Sequence, residues 1–127
     1  MNGEKPLLIA GMHRSGTSLL ARFVHRSGID LGSELVGPRP SNPYGHFEDV
    51  EILRFHRQVL LREFGQSMHV PGPPHLTDAD RATADELLET RRHKPSWGWK
   101  EPRTWLFLDF WRDLLPEAHF LFVVRHR

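Results

Sequence analysis

The sequence predicts an α/β domain built on a parallel sheet flanked by helices. Three observations carry that reading. Two short apolar runs, "PLLIA" and "HFLFVV", have the unbroken hydrophobicity of strands buried on both faces. Between them lie segments with apolar residues at helical spacing. A glycine-bounded turn, "GMHRSGTS", follows the first run where a strand hands over to a helix.

The chain has 127 residues, the length of one domain, so a single unit over 1–127 is expected. Its 17 basic and 16 acidic side chains leave a formal charge of +1, which gives no global field for nucleic acid or an anionic membrane. Any anion site must therefore be local. With no cysteine, disulfides and thiolate zinc centres are excluded, and a reducing, cytoplasmic setting is the expectation. The apolar stretch Leu7 to Ala10 is too short for a signal-peptide core or a membrane span.

Taken in order, "KPLLIAG" is the first strand, stopped by Gly11. A helix should follow in "TSLLARFVHRSG", with Leu19, Leu20, Phe23 and Val24 on one face and Gly28 as its C-terminal stop. The segment 32–49 holds Pro38, Pro40 and Pro43 with Gly32, Gly37 and Gly45, and reads as a long surface loop of the kind that often carries function. From about Val50 to Phe64 a second helix is expected, with Ile52, Leu53, Val59 and Leu60 inward.

"HVPGPPH" breaks the chain again. Thr77 then caps a surface helix, with Asp80 three residues on, Ala82, Leu87 and Leu88 facing inward, and Arg91 and Arg92 at the C-terminal end. "SWGWKEPRT" reads as a short extended segment stopped by Pro102, "TWLFLDFWRDLL" as a largely buried helix ending at Pro116, and "AHFLFVV" as a second buried strand. The chain stops at Arg127, where an α/β domain normally continues into another helix. The sequence is accordingly read as the N-terminal portion of a domain whose C-terminal part is absent.

Backbone N–H groups of a glycine-rich turn at the start of a helix form a concave anion site, reinforced by the helix dipole. Gly11 and Gly16 have the outer spacing of a phosphate-binding loop, and Thr17 and Ser18 can add hydroxyl donors. The lysine position of a nucleoside triphosphatase loop, however, holds Thr17, and "HFLFVV" runs into Arg125 rather than a magnesium-binding acid. The cation inside the loop is Arg14, so guanidinium replaces lysine plus metal.

In this order "LLIAGMHRSGTSLL", "NPYGHFED", "WGWKEPRT" and "HFLFVVRHR" resemble the N-terminal part of sulfotransferases that use 3′-phosphoadenosine 5′-phosphosulfate (PAPS), nearest to the bacterial and tyrosylprotein-type branch. The resemblance implies a P-loop-like fold with PAPS as co-substrate and no metal. It also implies that Arg14, Ser15, Gly16, Thr17 and Ser18 bind the 5′-phosphosulfate, and that Arg125 belongs to the 3′-phosphate site. Leu19 departs from the cytosolic pattern, in which a tryptophan follows the loop, so adenine contacts are left unassigned.

Sulfuryl transfer between two oxygens is governed by positioning and cationic stabilisation, for which Arg14 and Lys100 are the candidates. Lys100 lies between Trp99 and Pro102 in an apolar segment, where an ammonium needs an anion. A base must take the acceptor proton. Glu48 is the first candidate, by likeness to the base of the tyrosylprotein branch; His46 is its rival, and Asp49 is a weaker third, since an acid just before a helix is often only its cap. Arg103 either joins this cluster or pairs with Glu101. Trp97 and Trp99 read as core or pocket wall, and His13 as packing beside the loop. The other histidines, His56 among them, show no metal-ligand spacing.

The expected partners are a nucleotide co-substrate and a hydroxyl-bearing acceptor; carbohydrate, lipid-like alcohol and tyrosine would each suit a loop-built pocket. Two other functions fit the same loop. One is a kinase-like phosphotransferase, which would need magnesium for nucleotide binding. The other is a non-catalytic remnant that binds an anion or a partner chain.

Overall fold

A computed structural model describes residues 5–11, 28–29 and 49–123. The expected helix after Gly16, the long loop up to Glu48, and Arg125 lie outside the described residues.

Among the described residues, strand β1, Leu7–Gly11, is the middle of a three-stranded parallel sheet, between β2, Gly98–Lys100, and β3, His119–Val123. Leu8 pairs with Trp99 on one side and Phe120 on the other; Ile9 pairs with Lys100 and Leu121. Because side chains alternate along a strand, the sheet sorts these rows onto opposite faces. Leu8 and Trp99 join the aromatic core and Phe120 packs against it. Ile9 and Lys100, on the other face, are also buried. Gly98 permits the close pairing of β1 and β2, since a Cβ there would collide with the Leu7 carbonyl.

Helix α1, Val50–Phe64, has the expected bounds. Its buried stripe is Ile52, Phe55, His56, Val59 and Leu60, a helical i, i+3, i+4, i+7, i+8 pattern. Leu53, expected inside, is only half-buried. Asp49 caps the N-terminus, and Gly65 closes the other end in the left-handed conformation at φ 72°, its N–H donating to the Leu61 carbonyl.

Helix α2, Asp78–Glu89, begins in a reciprocal capping box between Thr77 and Asp80. Its inner face differs from the expected one. Ala84 and Leu88 are buried, Leu87 is half-buried and Ala82 is exposed, because contact with α1 is confined to one narrow stripe. The helix also stops at Glu89, so Arg91 lies in the turn beyond it and is buried.

"TWLFLDFWRDLL" is likewise two elements rather than one helix. Pro102 opens a 3₁₀ helix, Pro102–Phe107, which passes into α3, Leu108–Leu114. The tighter 3₁₀ winding turns Trp105 outward to 52% exposure while Thr104, Leu106 and Phe107 stay buried. β3 is not a fully buried strand: among the described residues it is a sheet edge, with Leu121 and Phe122 exposed.

Behind the sheet, Trp99 meets Trp111 edge-to-face with ring centroids 4.7 Å apart, and Phe55 packs on Phe107, Phe110 and Trp111. Trp97 and Trp99 belong to this core. The Trp99 indole N–H donates to Thr104 Oγ1 at 3.1 Å, so its polar edge is satisfied in the interior.

Candidate functional site at the carboxyl edge of the sheet

All three strands run in parallel, so their carboxyl ends share one edge, where α/β sheets bind ligands. β1 ends at Gly11, the first residue of the glycine-rich turn; β2 ends at Lys100; β3 ends at Val123, two residues before Arg125. Arg14, Ser15, Gly16, Thr17, Ser18, His46, Glu48 and Arg125 lie outside the described residues. Lys100 is the candidate whose surroundings are described.

Lys100 is 2% exposed, on the sheet face opposite the tryptophan core. An ammonium in such a place must be compensated by anionic or accepting groups. Its main chain is fixed on both sides. The Lys100 carbonyl accepts the Asp49 N–H at 3.2 Å, and the next residue, Glu101, donates its N–H to the Ile9 carbonyl at 3.0 Å.

Asp49 is the first described residue after the long loop. Its carboxylate caps α1 through the Ile52 N–H at 3.1 Å and accepts Arg91 Nη2 at 2.8 and 3.0 Å. Burial raises the Asp49 pKa above the ordinary range, with Arg91 pulling the other way. With every oxygen engaged inside the protein, Asp49 is a cap and ion-pair partner rather than a base.

Glu101 is completely buried beside Lys100, but it serves the scaffold. Oε1 accepts His56 Nδ1 at 2.7 Å and the Arg103 N–H at 2.9 Å, and Oε2 accepts Arg103 Nη1 at 3.2 Å. Burial opposes ionisation, yet the His56 hydrogen bond and the Arg103 charge outweigh it and hold the carboxyl below its usual range. Arg103 pairs with Glu101, one of the two roles open to it in the sequence, and its Nε also ties to the Ser67 carbonyl.

His56 was not singled out by sequence reasoning. Its Nε2 accepts the Trp111 indole N–H at 2.9 Å. Since indole can only donate, Nε2 carries no proton, and Nδ1 donates to Glu101. A histidine beside a carboxylate invites reading as a base, but His56 and Glu101 have no exposed side-chain surface and both ring nitrogens are occupied. The trio is an internal brace. A histidine on the inward stripe of α1 was the signal available in the sequence.

Among the described residues, no three His, Asp or Glu side chains converge as a metal site, and no helix is long and apolar enough to cross a membrane. In comparisons with known proteins, a family model described as "Sulfotransferase family" matches residues 6–127. No curated protein and no solved structure matches the chain.

Proposed function

The chain belongs to the sulfotransferase family, and from that premise we propose that it transfers a sulfuryl group from PAPS to a hydroxyl acceptor. The observation that carries the reading is the common carboxyl edge of the sheet. The arginine-bearing turn, Lys100 and Arg125 each follow or occupy a strand end on that edge.

In this reading the turn from Arg14 to Ser18 holds the 5′-phosphosulfate through backbone N–H groups, hydroxyls and the Arg14 guanidinium. Arg125 contributes to the 3′-phosphate site. Glu48, or His46 in its place, takes the proton as the acceptor oxygen bonds to sulfur; general-base help of this kind contributes ~10²–10⁴-fold. The bond from sulfur to the 5′-phosphate oxygen breaks, and adenosine 3′,5′-bisphosphate leaves with the electron pair. Lys100 and Arg14 stabilise the charge that grows on the departing phosphate.

Calorimetric titration with adenosine 3′,5′-bisphosphate tests the proposal. Binding without magnesium, abolished in Arg14→Ala, is expected. Binding of ATP only, and only with magnesium, would replace it with the phosphotransferase function. Absence of nucleotide binding by the folded chain would favour the non-catalytic one.

A further inference from the structure

The ion pair between Asp49 and Arg91 is buried, at a desolvation cost that the attraction between the two charges repays only with good geometry. Asp49 is 1% and Arg91 4% exposed. Replacing a buried pair by apolar side chains is often neutral or stabilising, whereas fixing one chain segment against another is what such a pair does well. Here the segments are known. Arg91 follows α2, and besides Asp49 its guanidinium donates to the Leu87 carbonyl at 2.7 Å, Thr90 Oγ1 at 3.1 Å and Glu51 Oε1 at 3.0 Å. Those contacts fix its direction.

Asp49, held by that guanidinium, uses its backbone N–H for something else. It donates to the carbonyl of Lys100. The amide involved is the one that joins Asp49 to Glu48, so the link between the two segments falls on the peptide bond next to the proposed base. Asp49 therefore joins the two segments, taking the Arg91 guanidinium on its carboxylate and giving its backbone N–H to the end of β2.

We propose that Arg91 and Asp49 are a positioning pair for the donor site: without touching the nucleotide, they hold the Lys100 backbone where its ammonium meets the nucleotide's 5′-phosphate end. This rests on the proposed PAPS site. Arg91 acts at a distance of one residue, through Asp49, and its effect must disappear when the Lys100 ammonium is removed.

The test is a double-mutant cycle on adenosine 3′,5′-bisphosphate affinity, measured by calorimetry well below the melting temperature. Lys100→Met is expected to weaken binding about tenfold, the scale of one charge-assisted hydrogen bond. Asp49→Asn keeps a capping oxygen and the backbone N–H but removes the charge that Arg91 holds. It should weaken binding several-fold in the parent and not further in Lys100→Met. Arg91→Lys, which keeps the charge but not the forked contacts, gives the same readout if Asp49→Asn does not fold.

A variant that lowers the melting temperature while leaving affinity unchanged would overturn the positioning role. So would losses that add fully to that of Lys100→Met, or a Lys100→Met variant that binds like the parent. If the parent itself binds no nucleotide, it is the proposed function that fails, and the positioning role falls with it.

Discussion

Trp111 donates its indole N–H to His56 Nε2, and this one bond decides that the proton shared with Glu101 sits on Nδ1 of a neutral imidazole. The trio spans three elements: α1 supplies His56, the residue after β2 supplies Glu101, and α3 supplies Trp111. Its atoms are buried, so losing any member strands the others in a medium that cannot replace them.

Trp111→Phe keeps much of the aromatic contact but leaves Nε2 without a donor. A loss of about 1–3 kcal/mol is expected in urea unfolding, with more if the smaller ring leaves a cavity. His56→Ala should cost more, about 2–5 kcal/mol, because the Glu101 carboxylate loses a buried hydrogen bond and Phe107 loses the ring stacked on it at 4.2 Å, leaving a cavity. Equal, small losses in both variants would contradict the brace.

Acid sensitivity should divide between two carboxylates of opposite sign. Glu101 has a folded pKa below its ordinary value of 4.5, so the unfolded chain binds its proton first as pH falls. Its contribution is present above that value and is lost as pH drops through the folded one. Asp49 has its pKa raised from 3.8, so the native chain binds that proton first and acidification through the raised value adds stability. Stability measured from pH 7 to pH 3 should lose part of its steep acid limb in Glu101→Gln and steepen in Asp49→Asn. The reverse pattern would refute the assignment.

Gly98→Ala tests the sheet directly. The added methyl meets the Leu7 backbone, which cannot move without breaking the β1–β2 ladder. A loss of at least ~1–3 kcal/mol is expected in thermal or urea unfolding. Because Lys100 is two residues along the same strand, nucleotide affinity should fall as well.

Gly65→Ala is a milder probe of the α1 C-cap. There is room for a methyl, so the cost is that of the left-handed backbone alone, about 1 kcal/mol. A larger loss would mean that the cap is coupled to packing beyond the helix end.

Much of this protein could be read from its sequence. Among the described residues, β1, β3 and the two helices α1 and α2 lie where apolar runs and 3.6-residue spacing put them, and α1 starts and stops where Asp49 and Gly65 dictate. Family membership was legible too, because four motifs in fixed order depend on residue identity rather than on packing. Such signals are local: a cap, a period or a tight turn is specified by residues a few positions apart.

What only the tertiary structure decided was the work given to individual polar side chains. On sequence grounds Asp49 was a base candidate or a cap and Arg103 a site residue or a partner of Glu101, while nothing marked Arg91 and His56 for the partners they have. Their partners lie 42 residues away for Asp49 with Arg91, and 45 and 55 for His56 with Glu101 and Trp111. Over such separations no sequence spacing defines a distance; burial and the packing of α1 against the sheet bring the groups together, and the cost of an unpaired polar atom in that interior fixes what each must do.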